Sequence, residues 1–279
     1  MCPVPIRILY LILLSDDEVY WRDMKAQQDT WAKEDVSVIW ILGWDRNYIE
    51  LKDKILYLPI ADSYNNILAK TLMGMEWCLN NLAFDFMVRT NTSTYFNIDK
   101  NLQFLKTFQK MEYFSGGYIE KCYDKYFRNS GELEFISGCG IFLSRACVSE
   151  IMSMNPILYI DVPEDIAISH FLHVRNLEVI RIARNNIHMT NFYLSATHAR
   201  LKSAEDANLT SKRMYRVSKI VEATTLKNRI LASLEFHCAE FNSFTFTVNN
   251  LITYAVNVRY IILNYLKTKF QFRYLFLKN

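Results

Sequence analysis

Glycine and proline are scarce in this chain, seven and five among 279 residues. So few exclude collagen-like and glycine-rich low-complexity classes. The six cysteines (2, 78, 122, 139, 147 and 238) form no CxxC pair and no dense framework. That speaks against a disulfide scaffold or a zinc ribbon and makes a reduced, cytoplasmic setting the expected one. No uninterrupted apolar run approaches the ~20 residues of a spanning helix. Residues 5–14 (PIRILYLILL) are apolar, but Arg7 interrupts them and no small-residue cleavage site follows, so a buried first strand is expected rather than a signal peptide. Acidic residues are missing from one region: none follows Glu240, whereas Arg259, Lys267, Lys269, Arg273 and Lys278 do.

What is present points to a globular chain. Half of it is hydrophobic (51%) and 22% is charged, enough for a sizeable core and incompatible with global disorder. The length suits one large domain, or a core of roughly 200 residues with an appendage. The net charge of +3 is unevenly spread. The last 39 residues carry +5 and ten aromatics, while the first 240 hold 27 basic against 29 acidic residues. A near-neutral body with a basic, aromatic tail is not the signature of a nucleic-acid binder.

Short β-rich runs alternate with helix-period segments. Strands are expected over 6–14, 36–42, 54–59, 84–89, 114–119, 140–143 and 177–182. Helices are expected over 19–32, 65–81, 99–110, 146–154 and 164–175. Leu68, Leu72, Met75, Leu79 and Leu82 trace one apolar face of the second helix. This alternation implies an α/β fold, a mainly parallel sheet covered on both faces, with ligands at the carboxyl ends of the strands. A boundary is expected near residue 198, separating a catalytic domain (1–198) from a helical, aromatic and basic extension (199–279). At 241–279 the extension suits peripheral contact with an anionic membrane or a partner subunit.

Dinucleotide-binding, P-loop, GxSxG and HExxH signatures are all absent. His170 and His173 have i, i+3 spacing that could serve a metal, or stand as two ordinary polar-face histidines. Three segments carry more. In Asp62-Ser63-Tyr64-Asn65-Asn66 followed by Lys70-Thr71-Leu72, an acid and small polar groups open a long helix. They suit either an N-cap or a ligand at a helix N-terminus. Arg89-Thr90-Asn91-Thr92-Ser93 ends a hydrophobic strand with hydroxyls and an amide, fit for a phosphate, a sugar or a simple polar turn. Ser137-Gly138-Cys139-Gly140 permits close backbone approach, and Pro163-Glu164-Asp165 places two carboxylates at a helix start.

Taken in order from about residue 14 to 191, these segments resemble the β-1,3-galactosyltransferase and Fringe group of glycosyltransferases. RDMKAQQDTW at 22–31 is similar to that family's Arg-rich stretch ending in Thr-Trp, and VIWILG at 38–43 to its second strand. The Asp62-Ser63-Tyr64 and Lys70-Thr71-Leu72 segment is the most specific match, with 136–144 and Pro163-Glu164-Asp165-Ile166 following. The resemblance implies a GT-A fold and an inverting transfer from a nucleotide sugar, usually a UDP-sugar, to a glycan or lipid-linked acceptor in surface polysaccharide synthesis. It places the general base at Asp165, with Glu164 as the nearest substitute. It places donor contacts at Asp62, Lys70, Arg89, Asn91, Thr92, Ser93, Ser137 and Gly138. The family's metal-holding Asp-x-Asp reads Asn91-Thr92-Ser93 here. No divalent metal is therefore expected, and Arg89, Lys70 or Lys25 would meet the leaving diphosphate. The alternative is a catalytically inactive sugar- or nucleotide-binding relative, or a membrane-associated scaffold.

Overall fold

A computed structural model describes residues 5–127, 131–186, 197–202, 206 and 208–222. The first strand, β1 (Ile8–Leu13), is apolar throughout and buried at its centre. Helix α1 (Glu18–Thr30) starts where the Asp17 side chain accepts the Val19 N–H at 2.9 Å, satisfying one of the free amides of its first turn. Strand β2 (Val38–Gly43) is buried at every position, as a central parallel strand must be.

Strands β3 (Glu50–Lys52) and β4 (Ile55–Leu58) form a hairpin. Its two loop residues, Asp53 and Lys54, both have positive φ (51° and 65°), the geometry that matches strand twist. Helix α2 (Ile67–Asn81) follows a 3-10 turn, Tyr64–Asn66. Then come β5 (Phe86–Asn91), β6 (Thr94–Phe96), α3 (Ile98–Lys106), β7 (Ser115–Tyr123), β8 (Glu132–Ser144), α4 (Arg145–Ile151) and α5 (Glu164–Val174). The described chain closes with β9 (Val179–Arg181), β10 (Arg184–Asn186), β11 (His198–Arg200) and α6 (Leu209–Glu222).

The fold is mixed α/β, as expected. Eight strands run in the order β3-β4-β2-β1-β5-β8-β7-β9, with a second sheet, β10-β11-β6, beside them. The β4-β2-β1-β5 half is parallel; β8 runs antiparallel to both β5 and β7. One face of the sheet packs against α1, α3 and α6 through Met24, Leu105, Met214 and Val217. The other packs against α2, α4 and α5 through Met75, Val148, Ile168 and Leu172.

Three features of this architecture position the site. The chain moves outward from β1 to β2 and β4, then returns to β5 on the other side of β1. That reversal is the topological switch point at which open α/β sheets hold ligands. Strand β8 is also far longer than the 140–143 expected. Its first half pairs only with β7, from Ile119↔Ile136 to Tyr123↔Glu132, so this ribbon projects past the carboxyl end of β5. Finally, the boundary expected near 198 falls inside β11, which pairs with β6, and Ala199, Leu201, Met214, Val217 and Ile220 belong to the core. Residues 199–202 and 208–222 thus contribute to the same core. The tail at 241–279 lies outside the described residues.

Candidate functional site

At the carboxyl end of β1, Ser15 and Asp16 meet the loop that links β4 to α2. Asp62 Oδ2 accepts from Ser15 Oγ at 2.7 Å and from the Asp16 N–H at 2.9 Å. Its Oδ1 lies 2.5 Å from Lys70 Nζ, which also donates to the Leu14 carbonyl at 2.8 Å. Burial pushes the Asp62 carboxyl up, but Lys70 and the donors from Ser15 and Asp16 outweigh it and hold the group below its ordinary value. Gly43 makes this crossing possible, since a Cβ there would stand 2.5 Å from the Ile60 carbonyl and 3.0 Å from Asp62 Cα. Asp62 is therefore neither an N-cap nor a free acid. It ties the helix to the first strand.

A second set gathers around β5. Arg89 Nη1 donates to the Gly138 carbonyl at 2.6 Å, and its Nη2 forms an enclosed ion pair with Glu164 Oε2. Burial pushes the Glu164 carboxyl up to about 7, against the opposing pull of Arg89. Thr71 Oγ1 favours the Glu164 charge, although neither it nor Glu164 Oε1 makes a hydrogen bond of normal geometry. Asp165, next along the chain, is half-buried. Its Oδ2 accepts from the Gly138 N–H at 3.1 Å and its Oδ1 from the Ile166 N–H at 3.0 Å. Ser169 holds α5 in this place, donating to the Asp165 carbonyl at 2.7 Å and accepting from the Ile136 N–H at 2.8 Å.

The Asn91–Ser93 turn is bonded internally. Asn91 Oδ1 accepts from Ser93 Oγ at 2.8 Å and Thr94 Oγ1 at 2.9 Å, and Gln27 on α1 donates to the Asn91 and Thr94 carbonyls at 3.1 and 3.2 Å. Thr92 is buried and its hydroxyl has no partner. Ser137 receives a hydrogen bond from Arg184, on the opposite face from Asp165.

The ten expected site residues therefore lie at the carboxyl edge of β1 and β5, on the adjoining ribbon, or on α2, α5 and the β4–α2 loop, where they bond to that edge. Two of the three cations expected to meet a diphosphate, Lys70 and Arg89, are closed into buried pairs with Asp62 and Glu164. The third, Lys25, is exposed on α1 and pairs with Asp29 one turn on. His170 stacks on Phe127 and meets the Tyr159 hydroxyl at 3.1 Å, a packing role. Among the described residues, no three His, Cys, Asp or Glu side chains converge as a metal site would require. Sequence reasoning did not single out Ser15, Asp16, Gln27, Glu120 or Arg184. The first two follow a strand end and Gln27 lies in the 22–31 stretch; nothing in the local pattern marks Glu120 or Arg184. A shallow groove lined by Glu76, Asn80, Arg145 and Ser149 lies between α2 and α4, away from this edge, and holds none of these residues.

No family model and no curated protein matches the chain. Among solved structures it is similar to the galactosyltransferase LgtC, bound to donor and acceptor sugar analogues. That similarity has 10% identity and a TM-score of 0.46, covering 79% of this chain and 98% of that one. It is also similar to a protein described as a glucose-1-phosphate thymidylyltransferase from Bacillus anthracis, in complex with a sucrose. There the identity is 11% and the TM-score 0.38, covering 63% and 87%. At these values neither likeness bears on what this chain does.

Proposed function

We propose that this protein is a glycosyltransferase of GT-A type that transfers a sugar from a nucleotide-sugar donor, a UDP-hexose or UDP-N-acetylhexosamine, to a glycan acceptor with inversion. The observation that carries this reading is the convergence of the resembling motifs. Ser15, Asp62 and Lys70 form one bonded set; Glu164, Arg89, Gly138 and Asp165 form a second, with Thr71, next to Lys70, standing between them. Segments far apart in sequence thus meet at the switch point, where a nucleotide would be held.

In this reading Asp165 takes the proton of the acceptor hydroxyl. The acceptor oxygen forms its bond to the anomeric carbon, and the bond from that carbon to the diphosphate breaks with its electron pair leaving on the phosphate. Asp165 suits the role because it is half-buried and held by two backbone N–H groups, which fix its direction while leaving further lone pairs on each oxygen. Glu164 is committed to Arg89 and acts as a support. We further propose that activity needs no divalent metal, because Asn and Ser without a carboxylate are poor sole ligands for a hard divalent cation and Asn91 Oδ1 already accepts two hydrogen bonds. The basic tail at 241–279 would bring the enzyme to the inner face of a membrane, a point that vesicle flotation with and without the tail would test. Among the described residues no helix is long and apolar enough to cross one.

A second reading has its own support. With Lys70 and Arg89 both neutralised, the site resembles a binding module as much as a catalyst. The two readings separate when the full chain is incubated with a panel of nucleotide sugars, with acceptors and EDTA, and released nucleoside diphosphate is measured. Transfer predicts release from one donor above the buffer rate, unaffected by EDTA. Saturable nucleotide binding without release supports the module. Release that EDTA abolishes and Mn²⁺ restores overturns metal independence, and neither binding nor release overturns both readings.

A further inference from the structure

The Ser137–Gly138 peptide divides two clusters. Asp165 and Arg89 bond to Gly138 on one side. On the other is a group of side chains with no role in the proposal above. Arg184, on β10, has a side chain only 2% exposed. Its Nη1 donates to Ser137 Oγ and its Nη2 to Glu120 Oε1, both at 2.6 Å. Its guanidinium carbon lies 4.0 Å from the centre of the Tyr118 ring, and its buried Nε has no partner. Arg200, on β11, reaches the same Glu120 oxygen at a looser 3.4 Å, with its side chain 39% exposed. The nearby His198 is buried, and desolvation, with Arg184 adding to it, pushes its imidazole down to about 3, so it stays neutral. Two guanidiniums therefore share one carboxylate, and the cluster keeps one uncompensated positive charge.

Its place in the fold ties this charge to the candidate site. Arg200 pairs in register with Thr94, and the next residue, Leu201, donates its N–H to the Ser93 carbonyl at 2.9 Å. Arg200 is thus anchored to the Asn91–Ser93 turn, and Arg184 to the residue before Gly138. By contrast, Arg89 and Lys70 each have a carboxylate of their own in an enclosed pair, so exchanging it for a phosphate would strand a buried anion.

We propose that Arg184 and Arg200 form an anion subsite that receives the diphosphate of a nucleoside-diphosphate donor, with Glu120 as the carboxylate that limits its charge. The proposal rests on the donor class given above and adds where that donor's negative charge is met. Guanidinium groups suit the task because their planar donor fork matches phosphate oxygens. Arg184 is preorganised by Tyr118 and Ser137, so it needs little rearrangement as charge develops on the leaving group. Arg200 is partly exposed and its contact with Glu120 is long, so it can turn to a phosphate oxygen while remaining solvated.

The test is calorimetric titration of the full chain with inorganic pyrophosphate and, separately, with uridine diphosphate. Arg184 is buried and its loss endangers folding, so the variants are Arg200→Gln and Glu120→Gln, each checked by circular dichroism. Arg200→Gln should weaken pyrophosphate binding roughly 10- to 100-fold, the range of a lost charge-assisted hydrogen bond. Glu120→Gln should tighten it, because the competing carboxylate is gone; a merely structural role for these groups predicts no such gain. Unchanged affinity in Arg200→Gln, or unchanged or weaker affinity in Glu120→Gln, overturns the subsite. If the wild type binds uridine diphosphate and neither variant shifts it, the subsite falls and the transfer reading stands. If the variants behave as expected and no nucleotide sugar is turned over, the transfer reading falls and the subsite stands. A wild type that binds neither anion overturns both.

Discussion

Arg89 and Glu164 form an ion pair closed off from solvent, with side chains 4% and 3% exposed. One comes from the central strand and the other from the first turn of α5, so the pair locks the helix that carries Asp165 onto the sheet. Buried pairs of this kind contribute little net stability, yet breaking one is costly because the remaining charge is left uncompensated.

That asymmetry gives the first prediction. Arg89→Met alone should lower unfolding stability by about 3–5 kcal/mol, as should Glu164→Met. The double variant Arg89→Met with Glu164→Met should cost much less than the two losses combined. Urea denaturation of the three proteins measures this, and additive losses would show that the pair is not coupled.

Asp165→Asn keeps the shape of the carboxylate and an acceptor for one of its two backbone N–H partners, but removes basicity. Turnover should drop by about two or more orders of magnitude, the usual size of general-base catalysis, with nucleotide affinity little changed. Near wild-type turnover would remove Asp165 from this role.

Gly138→Ala probes the same spot sterically. A Cβ there would stand 2.7 Å from Arg89 Nη1 and 3.2 Å from Asp165 Oδ2, and both partners are pinned. The expected cost is about 1–3 kcal/mol, as in other overpacked sites, together with reduced turnover. Thermal melts and the release assay report the two effects separately; a variant with unchanged melting and rate would mean that the site relaxes freely.

Asp23, on the buried face of α1, has an oxygen with no partner, and desolvation pushes its carboxyl up to about 7, with Arg22 opposing. A native carboxyl raised above its unfolded value binds a proton that the unfolded chain has released. Its contribution is therefore complete below pH ~4 and is lost as pH rises through about 7. Between those limits stability should fall with rising pH by up to about 1.4 kcal/mol per unit from this group alone. Glu164 adds a fall in the upper part of the same window. Asp23→Asn should flatten the profile of unfolding free energy between about pH 4 and 7; an unaltered slope would assign the dependence elsewhere.

Much of the fold was legible along the chain. The apolar run at β1 and the single apolar face of α2 are local patterns, as is the Pro163 opening of α5, and each lies within a few residues of its expected place. The alternation of strands and helices was enough for an α/β sheet, and the polar residues after strand ends marked the edge where the candidate site lies. Strand β4 was expected, but β3 and the hairpin that joins them were not, because the positive-φ loop uses Asp53 and Lys54, with no glycine to signal the turn.

Only the tertiary structure decided which charges are already answered. Asp62, Lys70, Arg89 and Glu164 look like separate ligand groups in the sequence, and the fold pairs them with one another. Arg184 and Arg200 look like ordinary surface cations there, and strand pairing brings them together around one carboxylate. The physical reason is that periodicity records which face of an element turns inward, a property of neighbouring residues. The partner of a charge depends instead on the register between strands remote in sequence and on how much water their packing excludes, and no local pattern encodes either.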